Sequence, residues 1–160
     1  YTRLFSKAVG EKGWVYAVDI NGNFLKHIHA RAKAEGQKNI TTVLSPQDSV
    51  SLPPESLDLI YICDTYHHFE YPVPTLASLL SALKPGGEMI VVDFERIEGV
   101  SSDWILGHVR AGKEVFRKEI LDAGFELVKE VKVEGFRVIY KPITECIIPN
   151  SKSYEECPTY

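Results

Sequence analysis

The chain has 160 residues, of which 44% are hydrophobic and 25% are charged, and its formal net charge is −4. These values favour one globular domain with its own hydrophobic core. The acidic balance argues against a nucleic-acid partner held by bulk charge, because phosphate contacts need a basic surface. No segment approaches the roughly twenty apolar residues that cross a bilayer, so no membrane span is predicted.

Three cysteines are present, Cys63, Cys146 and Cys157, and no two of them form a CxxC pair. An odd number without that spacing predicts neither a disulfide framework nor a zinc site. Because free thiols persist in a reducing compartment, the sequence favours a cytoplasmic location.

The first half of the chain alternates helical and strand patterns. Apolar spacing over residues 4–9 predicts a helix, and the continuous apolar run over 14–18 predicts a strand buried on both faces. Helical spacing returns over 24–34, and Gly36 is the expected stop. Residues 40–44 are a second predicted strand.

The alternation continues into the second half. Residues 57–63 predict a third strand, and the apolar positions over 76–83 predict one face of a helix. That helix is expected to end in the Lys-Pro-Gly-Gly turn at 84–87. The apolar run over 89–92 predicts a fourth strand.

The C-terminal part has a different order. An amphipathic helix is predicted over 113–123, followed by strand patterns over 126–133 and 136–140. The tight junction at Glu134-Gly135 predicts that these two strands form an antiparallel hairpin.

Strands that read as continuous apolar runs and alternate with helices predict a mostly parallel sheet covered on both faces. The expected fold class is therefore α/β, a three-layer sandwich with a C-terminal antiparallel hairpin. We assign residues 1–141 to this domain and 142–160 to an irregular tail, since the tail contains several prolines.

Acidic residues close three of the predicted strands, at Asp19, Asp64 and Asp93. Ligands of open α/β sheets bind beyond the carboxyl ends of the strands, although polar strand ends also arise because loops are solvated. A carboxylate at Asp19 suits the vicinal hydroxyls of a ribose. The alternative is that Asp19 caps the next helix, with Asn21 as the competing cap residue.

Three segments, in this order, resemble the class I S-adenosylmethionine-dependent methyltransferases, and in particular their type 11 subgroup. They are KGWVYAVDI at 12–20, SLDLIYICDTYHHF at 56–69 and LKPGGEMIVVDF at 83–94. The resemblance covers roughly residues 1–140. It implies a Rossmann-like fold, S-adenosyl-L-methionine as cofactor and a small-molecule methyl acceptor.

The resemblance also implies roles for individual residues. Asp19 matches the acid that binds the cofactor ribose, and Ile20 matches the apolar residue beside the adenine. Asp48 matches the polar residue facing the adenine amino group, with Gln47 as a weaker candidate. Asp64 matches a position near the methionine moiety and the reacting methyl group.

One part of the family pattern is not in this sequence. The family's usual first strand and its GxGxG loop belong immediately before Tyr1. Glycines in that loop let the backbone approach the methionyl part of the cofactor. We therefore expect the complete protein to carry an N-terminal segment that precedes this chain.

His67 and His68 follow Asp64 and are the candidate catalytic residues. Either one is able to take a proton from an acceptor that is being methylated, but such a pair also commonly packs and shapes this loop. The segment with Trp104 and His108 either caps a substrate pocket or packs on itself.

Acids at Asp64, Asp93 and Glu95 resemble part of the pattern of metal-dependent O-methyltransferases. The rest of that pattern is not evident, so the sequence predicts no metal site.

Three functions fit the sequence to different degrees. The first is methyl transfer from S-adenosylmethionine to a small molecule. The second is a methyltransferase-like domain that binds without catalysing. The third is a nicotinamide-dependent oxidoreductase, which the loop CDTYHHF and the terminal hairpin fit less well.

Overall fold

The computed structural model describes residues 1–133 and 135–142 of the chain. These residues form two units, the first of residues 1–53 with 69–79 and the second of 54–68 with the described residues from 80 onward. Each unit has its own β-sheet. Within the described residues, no helix combines the length and apolar character needed to cross a membrane.

A parallel strand pair organises the first unit. Its elements are α1 (Thr2–Val9), β1 (Val15–Asp19), α2 (Gly22–Ala34) and β2 (Ile40–Leu44). β1 and β2 run parallel, with α2 as the connection between them. The two strands end in register at Asp19 and Leu44, so the residues that follow them leave the same edge of the sheet.

The side chain of Asn39 fixes the end of α1. Its Nδ2 donates hydrogen bonds to the carbonyl oxygens of Ser6, Gly10 and Gly13 at 3.0, 3.0 and 3.1 Å. Its Oδ1 accepts a hydrogen bond from the hydroxyl of Ser6 at 2.5 Å. One amide therefore joins the last turn of α1, its cap Gly10 and the residue before Trp14 to the residue that precedes β2.

The prediction that the first strand is buried on both faces is wrong for this unit. Ala17 is buried, but Trp14 and Tyr16 are 54% and 39% exposed. Side chains alternate along a strand, so Ala17 faces one side of the sheet and the two aromatic residues face the other. The strand has apolar side chains on both faces, but only the face that contains Ala17 is buried.

An antiparallel hairpin completes the sheet of the second unit. The strands are β3 (Leu57–Cys63), β4 (Leu83–Asp93), β5 (Phe125–Val133) and β6 (Gly135–Pro142), in the spatial order β3-β4-β6-β5. β3 and β4 are parallel, whereas β6 is antiparallel to both β4 and β5. The predicted terminal hairpin is therefore confirmed.

Three helices and one 3-10 turn lie between these strands in the sequence. They are α3 (Pro72–Ala82), α4 (Asp103–His108), α5 (Lys113–Asp122) and the turn Tyr66–His68. α3 begins in the first unit, and α4 was not predicted from the sequence. Pro142 belongs to the predicted tail but ends β6 in the structure. The rest of the predicted tail, 143–160, lies outside the described residues.

The predicted turn at 84–87 is an irregularity inside a strand and does not separate α3 from β4. Leu83 already pairs with Leu57, and the next pairing joins Leu59 to Glu88. β4 therefore advances five residues while β3 advances two, and the Pro-Gly-Gly segment forms the excess. Gly86 takes a φ of 78°, a left-handed conformation that glycine adopts without strain.

Tyr66 anchors the 3-10 turn to α5. Its hydroxyl donates a hydrogen bond to Glu119 Oε2 at 3.0 Å, and its ring meets the ring of Phe116 edge-on at 5.1 Å. Arg110 binds both carboxylate oxygens of Glu119 at 2.7 and 2.6 Å. The guanidinium carbon of Arg110 also lies 4.6 Å from the centre of the Phe116 ring. This group holds the turn that carries His67 against the helix.

The anchoring group shifts the ionisation of its members. Burial, followed by the neighbouring charge of Glu119, raises the pKa of the Tyr66 hydroxyl, so it stays a donor. Burial would also raise the pKa of Glu119, but its hydrogen bonds to Arg110 and Tyr66 outweigh burial and lower the pKa. The ionised form of Glu119 is therefore favoured by folding.

Removing the Phe116 side chain tests how much this packing stabilises the second unit. Phe116 is 1% exposed, and its neighbour Val115 is 48% exposed. We expect Phe116→Ala to lower the free energy of unfolding by about 3–5 kcal/mol, the usual range for a buried phenylalanine. Val115→Ala on the same helix should change it by less than about 0.5 kcal/mol. Urea denaturation followed by circular dichroism measures both, and equal effects would contradict the packing described.

Glu119 makes the stability of the second unit depend on pH. Because its pKa is lowered in the folded state, its contribution is complete above the unfolded-state pKa of about 4.3 and is lost as the pH falls through the folded value. We expect Glu119→Gln to lower the unfolding free energy by about 1–3 kcal/mol at pH 7, and by less toward pH 3. Denaturation series at both pH values provide the measurement.

A matched control for Glu119→Gln is Glu98→Gln. The side chain of Glu98 is 88% exposed and its nearest cation, on Arg96, is 3.9 Å away. This control should change stability little at either pH. A difference between wild type and Glu119→Gln that stays constant from pH 7 to pH 3 would contradict the role assigned to Glu119.

Candidate active site

Asp19 is held at the carboxyl end of β1. Its Oδ1 accepts a hydrogen bond from the backbone N–H of Asn21 at 2.7 Å. Asn21 is the N-cap of α2, because its side-chain oxygen accepts from the N–H of Asn23 at 2.9 Å. The alternative role of Asp19 as the helix cap is therefore excluded. Within the part of the chain that the structure describes, no hydrogen bond is made to Oδ2 of Asp19.

The other cofactor candidates of the first unit follow the same two strands. Ile20 comes directly after β1 and is 58% exposed. Gln47 and Asp48 follow β2 and are exposed. The hydroxyl of Thr75 on α3 donates to the carbonyl oxygen of Gln47 at 3.1 Å, which positions this loop. Because β1 and β2 are parallel neighbours in register, these residues leave one sheet edge together.

Asp64 occupies the corresponding position in the second unit. It follows β3 with a φ of 53°, a left-handed conformation that aspartate tolerates better than most residues. Its backbone N–H donates to the carbonyl oxygen of Val92 at 2.8 Å, which extends the pairing of β3 with β4. The Asp64 side chain is exposed. The residue after β3 therefore has both a left-handed backbone conformation and an exposed carboxylate.

Asp93 ends β4 and is buried. Its carboxylate accepts three hydrogen bonds, from the backbone N–H of His67 at 3.0 Å, from the ring Nδ1 of His67 at 2.6 Å and from the backbone N–H of Phe94 at 2.8 Å. A buried carboxylate is tolerated when its lone pairs are used in this way. Since Nδ1 is the donor, the neutral His67 ring carries its free lone pair on Nε2.

Three histidine rings cluster beside this pair. His67 is buried, and its Nε2 has no hydrogen-bond partner among the described residues. The ring centre of His67 lies 4.0 Å from that of His68 and 5.0 Å from that of His108. Trp104 stacks on His108 at 4.5 Å and meets Phe94 edge-on at 5.6 Å. The aromatic rings of Trp104 and Phe94 therefore pack beside the imidazole rings of this cluster.

The environment of His68 favours its neutral form. Burial, followed by the neighbouring rings of His67 and His108, lowers the pKa of His68. A neutral imidazole has one nitrogen able to accept a proton or bind a metal ion.

The structure brings together candidate residues that lie in different loops of the sequence. Asp64, His67 and Asp93 each have one ligand-type atom within 4.8 Å of the others. The hydrogen bond between Asp93 and His67 was not predicted, although Asp93 ends β4 and His67 comes shortly after β3, its parallel neighbour. The contact of His108 with His67 depends on the path of a connection that carries no recognisable pattern. The segment with Trp104 and His108 packs on this site.

Comparison with known proteins identifies the fold and the family. A family model described as a methyltransferase domain, of the type 11 group, matches residues 1–91. The ubiquinone/menaquinone biosynthesis C-methyltransferase UbiE of Shewanella piezotolerans is 31% identical over 96 residues, which are 59% of this chain and 38% of that protein. The chain therefore spans well under half the length of this curated relative.

Two solved structures share the fold. A SAM dependent methyltransferase from Aquifex aeolicus has a TM-score of 0.76 at 24% identity, covering 86% of this chain and 72% of its own. The PH0226 protein from Pyrococcus horikoshii has a TM-score of 0.69 at 19% identity, covering 86% and 76%. These similarities confirm the predicted Rossmann-like α/β class. Since the family model matches residues 1–91, more than half of the chain, the chain belongs to the class I S-adenosylmethionine-dependent methyltransferases of the type 11 group, whose cofactor is S-adenosylmethionine.

Proposed function

We propose that this chain is part of an enzyme that transfers a methyl group from S-adenosylmethionine to a small-molecule acceptor. Family membership supports the reaction class. The observation that carries the proposal in this chain is the carboxylate of Asp19, which is fixed through Oδ1 and has Oδ2 available at the end of β1. That arrangement suits a ligand with vicinal hydroxyl groups, as on a ribose.

The residues at the end of the first sheet have distinct proposed roles. Asp19 accepts hydrogen bonds from the ribose hydroxyls, and Ile20 covers one face of the adenine. Asp48, with Gln47 as the alternative, accepts from the adenine amino group. The exposure of Ile20 supports this proposal, because an apolar side chain that is 58% exposed has a surface to offer a planar ring.

The second unit supplies the proposed reacting side. The proposed role of Asp64 is to contact the methionine moiety, and that of the His67–His68 turn is to face the acceptor. When bound, S-adenosylmethionine supplies an electrophilic methyl group. The chain contributes alignment and exclusion of water, which account for much of the rate of such a transfer. Whether His67 or His68 also takes a proton from the acceptor stays a prediction.

We propose a quinol-type aromatic compound as the first acceptor to test. The relatives that match over about 96 residues are named C-methyltransferases of ubiquinone and menaquinone biosynthesis. Phe94 and Trp104 near the histidine cluster are compatible with a flat aromatic ligand. We also propose a cytoplasmic location, on the basis of the cysteine pattern.

Binding without catalysis is the second candidate function. Transfer of a labelled methyl group from S-adenosylmethionine to a quinol, measured with the intact protein, separates the two. Methylated product supports the enzyme, whereas cofactor binding without product from any tested acceptor favours the binding domain. No observation on this chain favours the nicotinamide-dependent oxidoreductase.

Replacing Asp19 tests the cofactor site directly. Asp19→Asn keeps the size of the side chain and its turn to Asn21, but it removes the charge that would strengthen hydrogen bonds to the ribose. We expect the affinity for S-adenosylhomocysteine to fall by roughly ten- to a hundredfold, which corresponds to about 1.4–2.8 kcal/mol. Isothermal titration of the intact protein measures this change.

Glu11→Gln is the matched control, since Glu11 is exposed and precedes the opposite end of the same strand. It should leave the affinity unchanged, and both variants should keep the wild-type melting temperature. Unchanged affinity in Asp19→Asn would remove Asp19 from the cofactor site.

A further inference from the structure

We propose that His67, His68 and His108 form a binding site for a divalent transition-metal ion of the zinc type. One ring nitrogen of each histidine lies within 4.8 Å of a ring nitrogen of the other two. Neutral imidazole is a preferred ligand of zinc and its neighbours in the transition series. All three residues belong to the second unit. This inference does not depend on methyl transfer.

His67 is oriented in the way that metal-binding histidines usually are. Its Nδ1 donates to the carboxylate of Asp93 at 2.6 Å, and both side chains are 0% exposed. A carboxylate behind a histidine fixes the ring and leaves Nε2 to bind the metal. The role of Asp93 is therefore to position His67.

The strongest single observation is the unpaired Nε2 of His67. This atom is buried and has no hydrogen-bond partner among the described residues. Leaving a buried polar atom unpaired costs about 1–3 kcal/mol, so such atoms in proteins usually have a ligand or a water. The rings of His68 and His108 are packed against His67, which makes a metal shared by the three rings the simplest partner.

The required movement is small and falls on the exposed residues. In a tetrahedral zinc site with bonds of about 2.0–2.1 Å, ligand nitrogens lie about 3.4 Å apart. The nitrogen–nitrogen separations, which are at most 4.8 Å, therefore have to shrink by no more than about 1.4 Å. His68 and His108 are exposed and make no ring hydrogen bond in the region that the structure describes, so a small ring rotation would break no hydrogen bond. His67 stays fixed by Asp93.

A second set of residues is close enough to bind a metal but is less suitable. Asp64, His67 and Asp93 also lie within 4.8 Å of one another. Metal binding through Asp93 would compete with the hydrogen bonds that its buried carboxylate accepts. The three-histidine set involves no such competition.

Three protein ligands leave one coordination position for water or for an oxygen atom of a ligand. That pattern is typical of catalytic zinc and not of structural zinc, which has four protein ligands. A metal at this place also replaces the proton-acceptor role predicted for His67 and His68, because the same lone pairs bind the ion.

Cobalt(II) is the probe for this site, since its visible absorption reports four-coordinate binding. The untagged intact protein is treated with a chelator, dialysed and titrated with Co²⁺ in the absence of cofactor. We expect one Co²⁺ per chain and an intense visible band without a thiolate charge-transfer band, because the three proposed ligands are imidazoles. Zn²⁺ should displace the cobalt and abolish the band.

Two substitutions test the ligands. His108→Ala should weaken Co²⁺ binding at least tenfold. The control is His29→Ala, an exposed histidine of α2, which should leave the affinity unchanged. Asp93→Asn should weaken binding by roughly ten- to a hundredfold, as is usual for loss of a carboxylate behind a ligating histidine. Circular dichroism shows whether each variant is folded, and the exposed His108 keeps the test valid if Asp93→Asn unfolds.

Two results would overturn the proposal. One is wild-type protein that shows no stoichiometric cobalt band. The other is a cobalt affinity that is equal in His108→Ala and His29→Ala. Failure of methyl transfer has no bearing on either result, because the titration contains neither cofactor nor acceptor.

Discussion

The buried carboxylate of Asp93 is the constraint on which the site of the second unit depends. It lies at the end of β4 and binds three donors that come from the loop after β3 and from its own successor, Phe94. A carboxylate removed from water is destabilising unless its oxygens are paired, so the surrounding backbone must hold those donors in place. The parallel pairing of β3 with β4 brings both strand ends to one point. The orientation of His67 follows from this arrangement.

A second group of contacts, made by Tyr66, also holds the 3-10 turn that carries His67. Tyr66 precedes His67 and reaches the Glu119–Arg110 pair, while its ring packs on Phe116. Adjacent residues of one short turn are thus fixed to β4 and to α5. A turn held at two points loses little further conformational freedom when a ligand binds, which favours affinity.

The sequence was sufficient to predict elements whose apolar runs are sharply bounded. β2 and β3 have the predicted limits, and the resemblance predicted the fold class correctly. Which face of β1 is buried was not predictable. An apolar run shows that both faces of a strand could be buried, but it does not show which face other elements cover. Predicting the contact of Asp93 with His67 requires the order of the strands in the sheet. Predicting the contact of His108 with His67 requires the path of α4.

Asn39 illustrates how narrowly one position is specified. Its Nδ2 meets three carbonyl oxygens. Deamidation, which replaces that nitrogen with a negatively charged oxygen of nearly the same size, would set like partial charges against each other at all three contacts. A chemical change that alters the mass of the chain by about one dalton would thus weaken the connection between the end of α1 and the residue before β2.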